Sequence, residues 1–350
     1  MPKRKTTDPA IAALVPVQPA PLASLATAGA AADAAAARGV FADYRSRKAA
    51  RTRLAQDDDL ARWAAYLKDA GAPGCEGWSE RPECWQGVTW GLVEGFTRWQ
   101  LQQGYAVGSI NRALATIRTY AGLAARAGAL DPQALTLICS VKGYATKEGR
   151  RLDAQREQTR KGHKKATHRT LDSDQIAALK AAPALDTPSG RRDRLMLCLF
   201  LDHGLRVGEL AGLQGTSLDP KRGELRFYRE KVSKEQTHKL TADTLRAALA
   251  YLPDAPPVGS LWRGSRKGGQ LSAPGWSSAS IRDRVQGYGA QIGVPDLSPH
   301  DLRHTWATRA TRSGTHPFAL KEAGGWSSLA MPERYTEAAK IANEGVQLGD

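Results

Sequence analysis

The sequence predicts a mainly α protein with one small β-sheet, arranged in two domains. Three observations predict it. Apolar residues recur at helical spacing through residues 41–140. A basic stretch without any apolar period, residues 141–169, then interrupts the pattern. Beyond it helical segments resume, and only ELRFY and THKL read as strands, joined by a polar turn. With 350 residues, 41% of them apolar, there is material for two ordinary cores.

Each element follows from local signals. Residues 1–40 are rich in Ala and Pro and are expected to form a mobile tail, with a short helix near Ala31–Ala37. In the helical domain, RTRLAQDDDLARWAAYLKDAG sets Leu54, Leu60, Trp63 and Leu67 at helical spacing and stops at Gly71. GVTWGLVEGFTRWQLQQG repeats the pattern. In the third segment Ser109 is the expected N-cap, Ile110, Leu114, Ile117 and Ala121 the apolar face, and Gly128 the stop. The stretch 141–169 carries ten Lys or Arg against three acids. It reads as a basic linker, a strap along phosphates in preference to a merely solvated loop. The second domain spans 170–350. Asp172 and Gln175 form an expected capping box before Ile176 and Leu179. RLMLCLFLDHG is an apolar helix ending at Gly204, and LPDAPPVGSLWRGSRKGGQLSAPGW is a long loop.

Charge narrows the partners. Fifty Lys and Arg against 35 acids give a formal charge of +15, which favours a polyanion: nucleic acid first, an anionic membrane surface second. Cys75, Cys84, Cys139 and Cys198 form no Cys-x-x-Cys pair, so neither a zinc module nor a disulfide framework is expected, and reduced thiols in a cytoplasmic protein are. No apolar run reaches roughly 18 residues, so no membrane-spanning helix is expected. The N-terminal stretch lacks the compact apolar core of a signal peptide.

Four separated places hold side chains suited to one anionic transition state. In GLRVGEL, Arg206 offers a bidentate fork for phosphate oxygens, and Glu209 stands three residues on to hold it. In REKVSKEQTHKL, Lys231 is expected to end the first strand and Lys234 to sit in the turn, either of them able to donate a proton. In SPHDLRHTWATRATRSG, His300, Arg303 and His304 share a helix face. His-x-x-x-His also invites a zinc reading, but no Glu adjoins the first His and no third ligand is evident. In AGGWSSLAMPERYTEAA, Trp326 offers an N–H and Tyr335 a nucleophilic hydroxyl.

Singly these are ordinary residues; in this order they resemble the tyrosine recombinase (phage integrase) family over about residues 45–350. GLRVGEL and HDLRH match its two arginine boxes, and YAVGSINRALATIRTYAGLAARAG resembles its core-binding domain. The Ala-Gly-Gly-Trp form, the proline-bearing tail and the short C-terminus are most similar to its Cre-type members; Trp326 stands where His is commoner.

The resemblance implies an all-helical SAM-like core-binding domain and a mixed α+β catalytic domain, closing as a C-shaped clamp on duplex DNA. It makes Tyr335 the nucleophile forming a 3′-phosphotyrosyl bond. Arg206, Arg303, His300 and Trp326 bind the non-bridging oxygens, and Lys231, preferred over Lys234, protonates the leaving 5′-oxygen. Glu209 and His304 support them. No cofactor, metal or ATP is implied, and no P-loop motif appears. Arg51, Arg53, Asn111 and Arg112 from the first domain, and Arg282 and Arg284 from the second, are the expected DNA contacts, most of them to phosphate. Ile341, Val346 and Leu348 are expected to dock into a neighbouring protomer of a homotetramer on two inverted-repeat sites. Two other readings share features with this one: a DNA-binding regulator without catalysis, and a metal-dependent nuclease using His300 and His304.

Overall fold

A computed structural model describes residues 25–339 except 73, 156–167 and 257, with the side chains of Lys231 and 336–339 outside the description. The chain divides into two compact units, Met1–Ala166 and Thr167–Asp350.

Among the described residues of the first unit the α-helices are α1 Leu25–Ser46, α2 Ala50–Asp69, α3 Trp90–Gln102, α4 Val107–Arg126, α5 Pro132–Ser140 and α6 Thr146–Gln155, with no strand. Helix α1 runs through much of the stretch expected to be a tail. Alanine is the strongest helix former, and Phe41 and Tyr44 pin the C-terminal end of α1 by packing their rings 5.6 and 5.7 Å from that of Tyr120. The first half of the expected linker is helical as well, in α6. Its remainder, 156–167, lies outside the described residues, as do the first 24 and Ile341, Val346 and Leu348.

Helix α4 supplies the centre of this unit, burying Ile110, Leu114, Ile117 and Ala121 as its period requires. Its N-cap is Ala106, not Ser109; the Asp153 carboxylate of α6 accepts from Val107 N–H at 3.0 Å and does the capping from across the fold. On α2, Leu60, Trp63 and Leu67 are buried, whereas Leu54 is exposed because the helix turns that end away from the core. Trp63 packs against Trp78, Trp85 and Phe96, at 5.9, 6.4 and 5.3 Å between ring centroids. Between α2 and α3, Cys75 and Cys84 are bonded to each other, against the expectation of reduced thiols. The turn after Gly77 brings their Cα atoms to 5.7 Å, a proximity that no Cys-x-x-Cys spacing announces.

The second unit packs α7 Ser173–Ala181, α10 Ala242–Tyr251 and α12 Pro299–Arg312 around α8 Pro188–His203, whose residues Leu195–Leu201 are all buried. Asp172 and Gln175 make the expected capping box. Gly204 ends α8 in the left-handed region at φ +62°. There a Cβ would stand 2.2 Å from the Trp306 ring, so glycine is required both by conformation and by space. After the short α9 Val207–Ala211 come β1 Leu218–Asp219, β2 Glu224–Arg229 and β3 Lys234–Lys239, an antiparallel sheet in that order. The long loop contains a further antiparallel pair, β4 Arg263–Ser265 and β5 Leu271–Pro274, which its Gly and Pro content hid. Helices α11 Ser278–Gln291, α13 Pro317–Gly324 and α14 Ala330–Ala339 complete the unit.

Candidate active site

The residues singled out in the second unit converge where α8 ends, where α9 begins and where the Gly-Gly-Trp turn follows α13. Arg206 is the N-cap residue of α9. Its backbone N–H donates to Glu209 Oε2 at 2.8 Å and its Nη1 to Oε1 at 2.6 Å, so the expected Arg–Glu pair is local and bidentate in effect. Glu209 is shared. Arg229, at the end of β2 and fully buried, donates Nη1 to both Glu209 oxygens at 2.9 and 2.8 Å and Nη2 to the Ala323 carbonyl at 2.7 Å. Gln236 on β3 accepts from Arg229 Nε and donates to the Glu322 carbonyl at 2.6 Å. Burial works to raise the Glu209 carboxyl; Arg229, then Arg206, outweigh it and hold it below its ordinary value.

Arg303 is buried on α12. Its Nη1 donates to the Gly204 carbonyl and its Nη2 to the Gly324 carbonyl, both at 2.5 Å, while Arg206 Nη2 reaches the next carbonyl, Gly325, at 3.2 Å. Consecutive glycine carbonyls thus fix both guanidiniums. Gly325 has φ +59°, and a Cβ there would strike the Arg229 side chain at 2.4 Å, so the turn is glycine by necessity. Burial, with Arg206 and Arg229 close by, pushes Arg303 down to about 9, still cationic at neutral pH. Three guanidiniums face one carboxylate here. The excess charge would suit a phosphodiester monoanion that gains a second negative charge as its phosphorus becomes pentacoordinate.

The Trp326 ring covers Arg303, 4.7 Å from its Cζ, and stands 5.8 Å from the Tyr335 ring. Tyr335, on α14, is buried, with the His304 ring 5.1 Å away. Burial raises the Tyr335 hydroxyl above its ordinary value, and Arg303 and Arg334 oppose the rise. It is therefore a phenol at neutral pH, and to act as a nucleophile it would have to lose its proton. His300 is lowered to about 4 by burial, then His168 and Arg303, and His304 to about 3 by burial and the two other histidines. Both are neutral imidazoles at pH 7, donors rather than charges. His168 brings the third imidazole that was not evident in the sequence, stacked 3.9 Å from His304.

Other expected residues are placed differently. Lys231 lies in the turn Glu230–Val232 rather than at the end of β2; its side chain is outside the described residues. Lys234 opens β3 and pairs with Glu322 instead of standing in the turn. Asn111 spends its amide on the Tyr144 backbone, accepting and donating at 2.9 Å each. Arg112 pairs with the buried Asp59, Nη2 to Oδ1 at 2.8 Å and Nε to Oδ2 at 3.1 Å, beside Arg62 and Thr116. Arg284 pairs with Asp193 at 3.2 Å and Ser265 at 2.8 Å. Arg51, Arg53 and Arg282 are exposed. Arg229 and Gln236 were missed. The signal for Arg229 was its phase, since Leu225, Phe227 and Arg229 share the inward face of β2, and a charge on that face needs a partner.

Fold and site together define a cationic, tyrosine-edged centre built on a helical scaffold. Residues 169–341 match the phage integrase family. Tyrosine recombinase XerD of Xanthomonas axonopodis pv. citri (strain 306) is 31% identical over 263 residues, covering 73% of this chain and 79% of that protein. Tyrosine recombinase XerD of Xanthomonas campestris pv. campestris is 33% identical over 272 residues, covering 73% and 75%. The Tn1549 transposon integrase in complex with circular intermediate DNA superimposes with a TM-score of 0.60 at 14% identity, over 87% of this chain and 96% of that one. A lambda integrase dimer bound to a core site gives 0.56 at 13%, over 89% and 95%. These two likenesses concern the fold alone. The chain belongs to the phage integrase family and is a tyrosine recombinase enzyme. These two relatives bear the XerD name and others the XerC name, whereas the sequence pointed to Cre-type members. Among the described residues no helix is long and apolar enough to cross a membrane.

Proposed function

We propose that this enzyme recombines duplex DNA at specific sites through a covalent 3′-phosphotyrosyl intermediate. The observation that supports it most is the pair Arg206 and Arg303, fixed by consecutive glycine carbonyls within one ring contact of Trp326 and Tyr335. The Tyr335 hydroxyl oxygen attacks the scissile phosphorus and gives up its proton to the surrounding water. The phosphorus–5′-oxygen bond breaks, and Lys231 supplies the proton that makes the 5′-hydroxyl. Arg206, Arg303, His300 and the Trp326 N–H take the charge that builds on the non-bridging oxygens; losing one such donor costs about 10²- to 10³-fold in rate. Glu209 keeps Arg206 in place, and His304 packs against the tyrosine ring. Attack by a 5′-hydroxyl of the partner strand reverses the step, passing through a Holliday junction without ATP, since the phosphodiester energy is kept in the tyrosyl ester.

The target is a pair of inverted-repeat sites gripped by a tetramer in the bacterial cytoplasm. The +15 charge suits that partner, and Arg51, Arg53 and Arg282 are the exposed candidates for phosphate contacts. The Gly-Gly-Trp turn keeps the Cre-type reading of the site alongside the XerD-named relatives.

A nicked suicide duplex, built on the sequence that the chain selects from a random pool, tests the proposal. Wild type should leave an SDS-resistant protein–DNA adduct and Tyr335→Phe none, with DNA binding retained. No adduct from wild type, or an adduct from Tyr335→Phe, overturns it.

A further inference from the structure

Three imidazoles meet at the edge of this centre. His300 and His304 stand one turn apart on α12, and His168 reaches them from the start of the second unit, 132 residues earlier than His300 (300 − 168). Ring centroids are 3.9 Å apart for His168 and His304, and 4.8 Å for His168 and His300 and for His300 and His304. One nitrogen of each lies within 4.8 Å of those of the other two. A tetrahedral ion with Zn–N bonds of about 2.0–2.1 Å holds its nitrogens about 3.3 Å apart. Side-chain rotations that move the nitrogens by about 1 Å therefore suffice. His168 is half exposed, and the Asp301 carboxylate, 3.9 Å from its Nδ1, adds a negative charge beside a bound cation. A second such cluster, Cys198, Asp202 and Asp243, is already filled by the Lys180 ammonium, 2.8 and 2.7 Å from the two carboxylates.

We propose that His168, His300 and His304 bind a divalent transition-metal ion of the zinc class, and that the bound ion holds the recombinase inactive by drawing His300 away from the phosphate. Three nitrogen donors select zinc, copper, nickel or cobalt over magnesium and calcium. The neighbouring Arg206 and Arg303 repel a dication, so the ion is a reversible ligand that competes with DNA phosphate, not a structural one. The inhibitory half rests on the recombinase reading above; the binding half does not.

The test is a Co²⁺ titration of the untagged full-length chain, freed of metal, followed by the visible absorption of tetrahedral Co²⁺ and by displacement with Zn²⁺. One ion per chain is expected. His168→Ala should weaken binding by at least about 100-fold, the upper range for losing a partner outside the coordination sphere. In parallel, Zn²⁺ should suppress adduct formation by wild type, reversibly on chelation. It should leave His168→Ala unaffected, measured against that variant's own adduct yield without metal, because the third ligand is gone. Absence of Co²⁺ binding, or binding unchanged by His168→Ala, overturns the site. Binding that needs His168 but leaves adduct formation untouched overturns the inhibition. A chain that binds Co²⁺ through His168 yet never forms adduct without metal sinks the recombinase reading and leaves the site standing.

Discussion

Removing Arg229 should unfold the second unit's centre from within. The side chain is fully buried and spends its donors on both Glu209 oxygens, the Ala323 carbonyl and Gln236. Arg229→Met keeps most of the volume and deletes the charge. It leaves the Ala323 carbonyl and Gln236 without their donors, and Glu209 with Arg206 as its remaining cation. Breaking a buried pair by removing one partner costs about 3–5 kcal/mol, of the same order as the whole stability of an ordinary domain. Amide exchange along α8, residues Leu195–Leu201, is the assay, since it reads this unit alone. Those amides should exchange roughly two to three and a half orders of magnitude faster. Arg229→Lys, which keeps the charge but not the fork, should fall between. Less than about tenfold acceleration in Arg229→Met refutes the claim that this network holds the centre together, because about 1.4 kcal/mol is too little for a broken buried pair.

Two further predictions concern stability. In the first unit, Asp59→Ala strips the acceptor from Arg62, Arg112 and Thr116. The arginines left behind reach solvent in part, so the cost should be about 2–3 kcal/mol, read from exchange of the α4 amides; no change would show that Arg112 is held otherwise. In the second unit, burial lowers His203 to about 4, and burial together with His203 lowers His238 to about 4. Between pH 6.5 and 4 the unfolded chain takes up protons that these folded histidines refuse. Their contribution is complete above the unfolded value and lost as pH falls toward 4, by at most about 3 kcal/mol each. Urea midpoints measured from pH 7 to 4.5 should fall accordingly, and His203→Phe with His238→Phe should flatten the slope; an unaltered slope refutes the assignment.

Much of the fold was legible because its signals are local. The apolar run of α8, the Asp172–Gln175 box and the Gly204 stop each need only a few neighbouring residues to be read. The same holds for the ion pair of Arg206 with Glu209 and for the shared face of His300, Arg303 and His304, which helical spacing dictates. Where a local rule met a distant partner, the reading failed. Ser109 is an ordinary N-cap residue, yet Asp153 caps the helix three residues earlier. The strands run further than ELRFY and THKL suggest and leave a shorter turn, residues 230–233, so Lys234 falls in β3 and Lys231 in the turn.

By itself, then, the sequence determined the helical character of both units, the order of the candidate catalytic residues and the family they spell. Tertiary structure alone decided which charges serve the site and which serve the fold. Arg112 and Asn111 looked available and are engaged with Asp59 and Tyr144; Arg229 drew no notice and braces Glu209; His168 looked like linker and completes a histidine triad. Each of those pairings joins residues 20 or more positions apart, since Glu209 to Arg229 is the nearest of them. Such contacts are selected by burial, where an unpaired charge or amide is costly, and burial is a property of the packed chain and not of any window of residues.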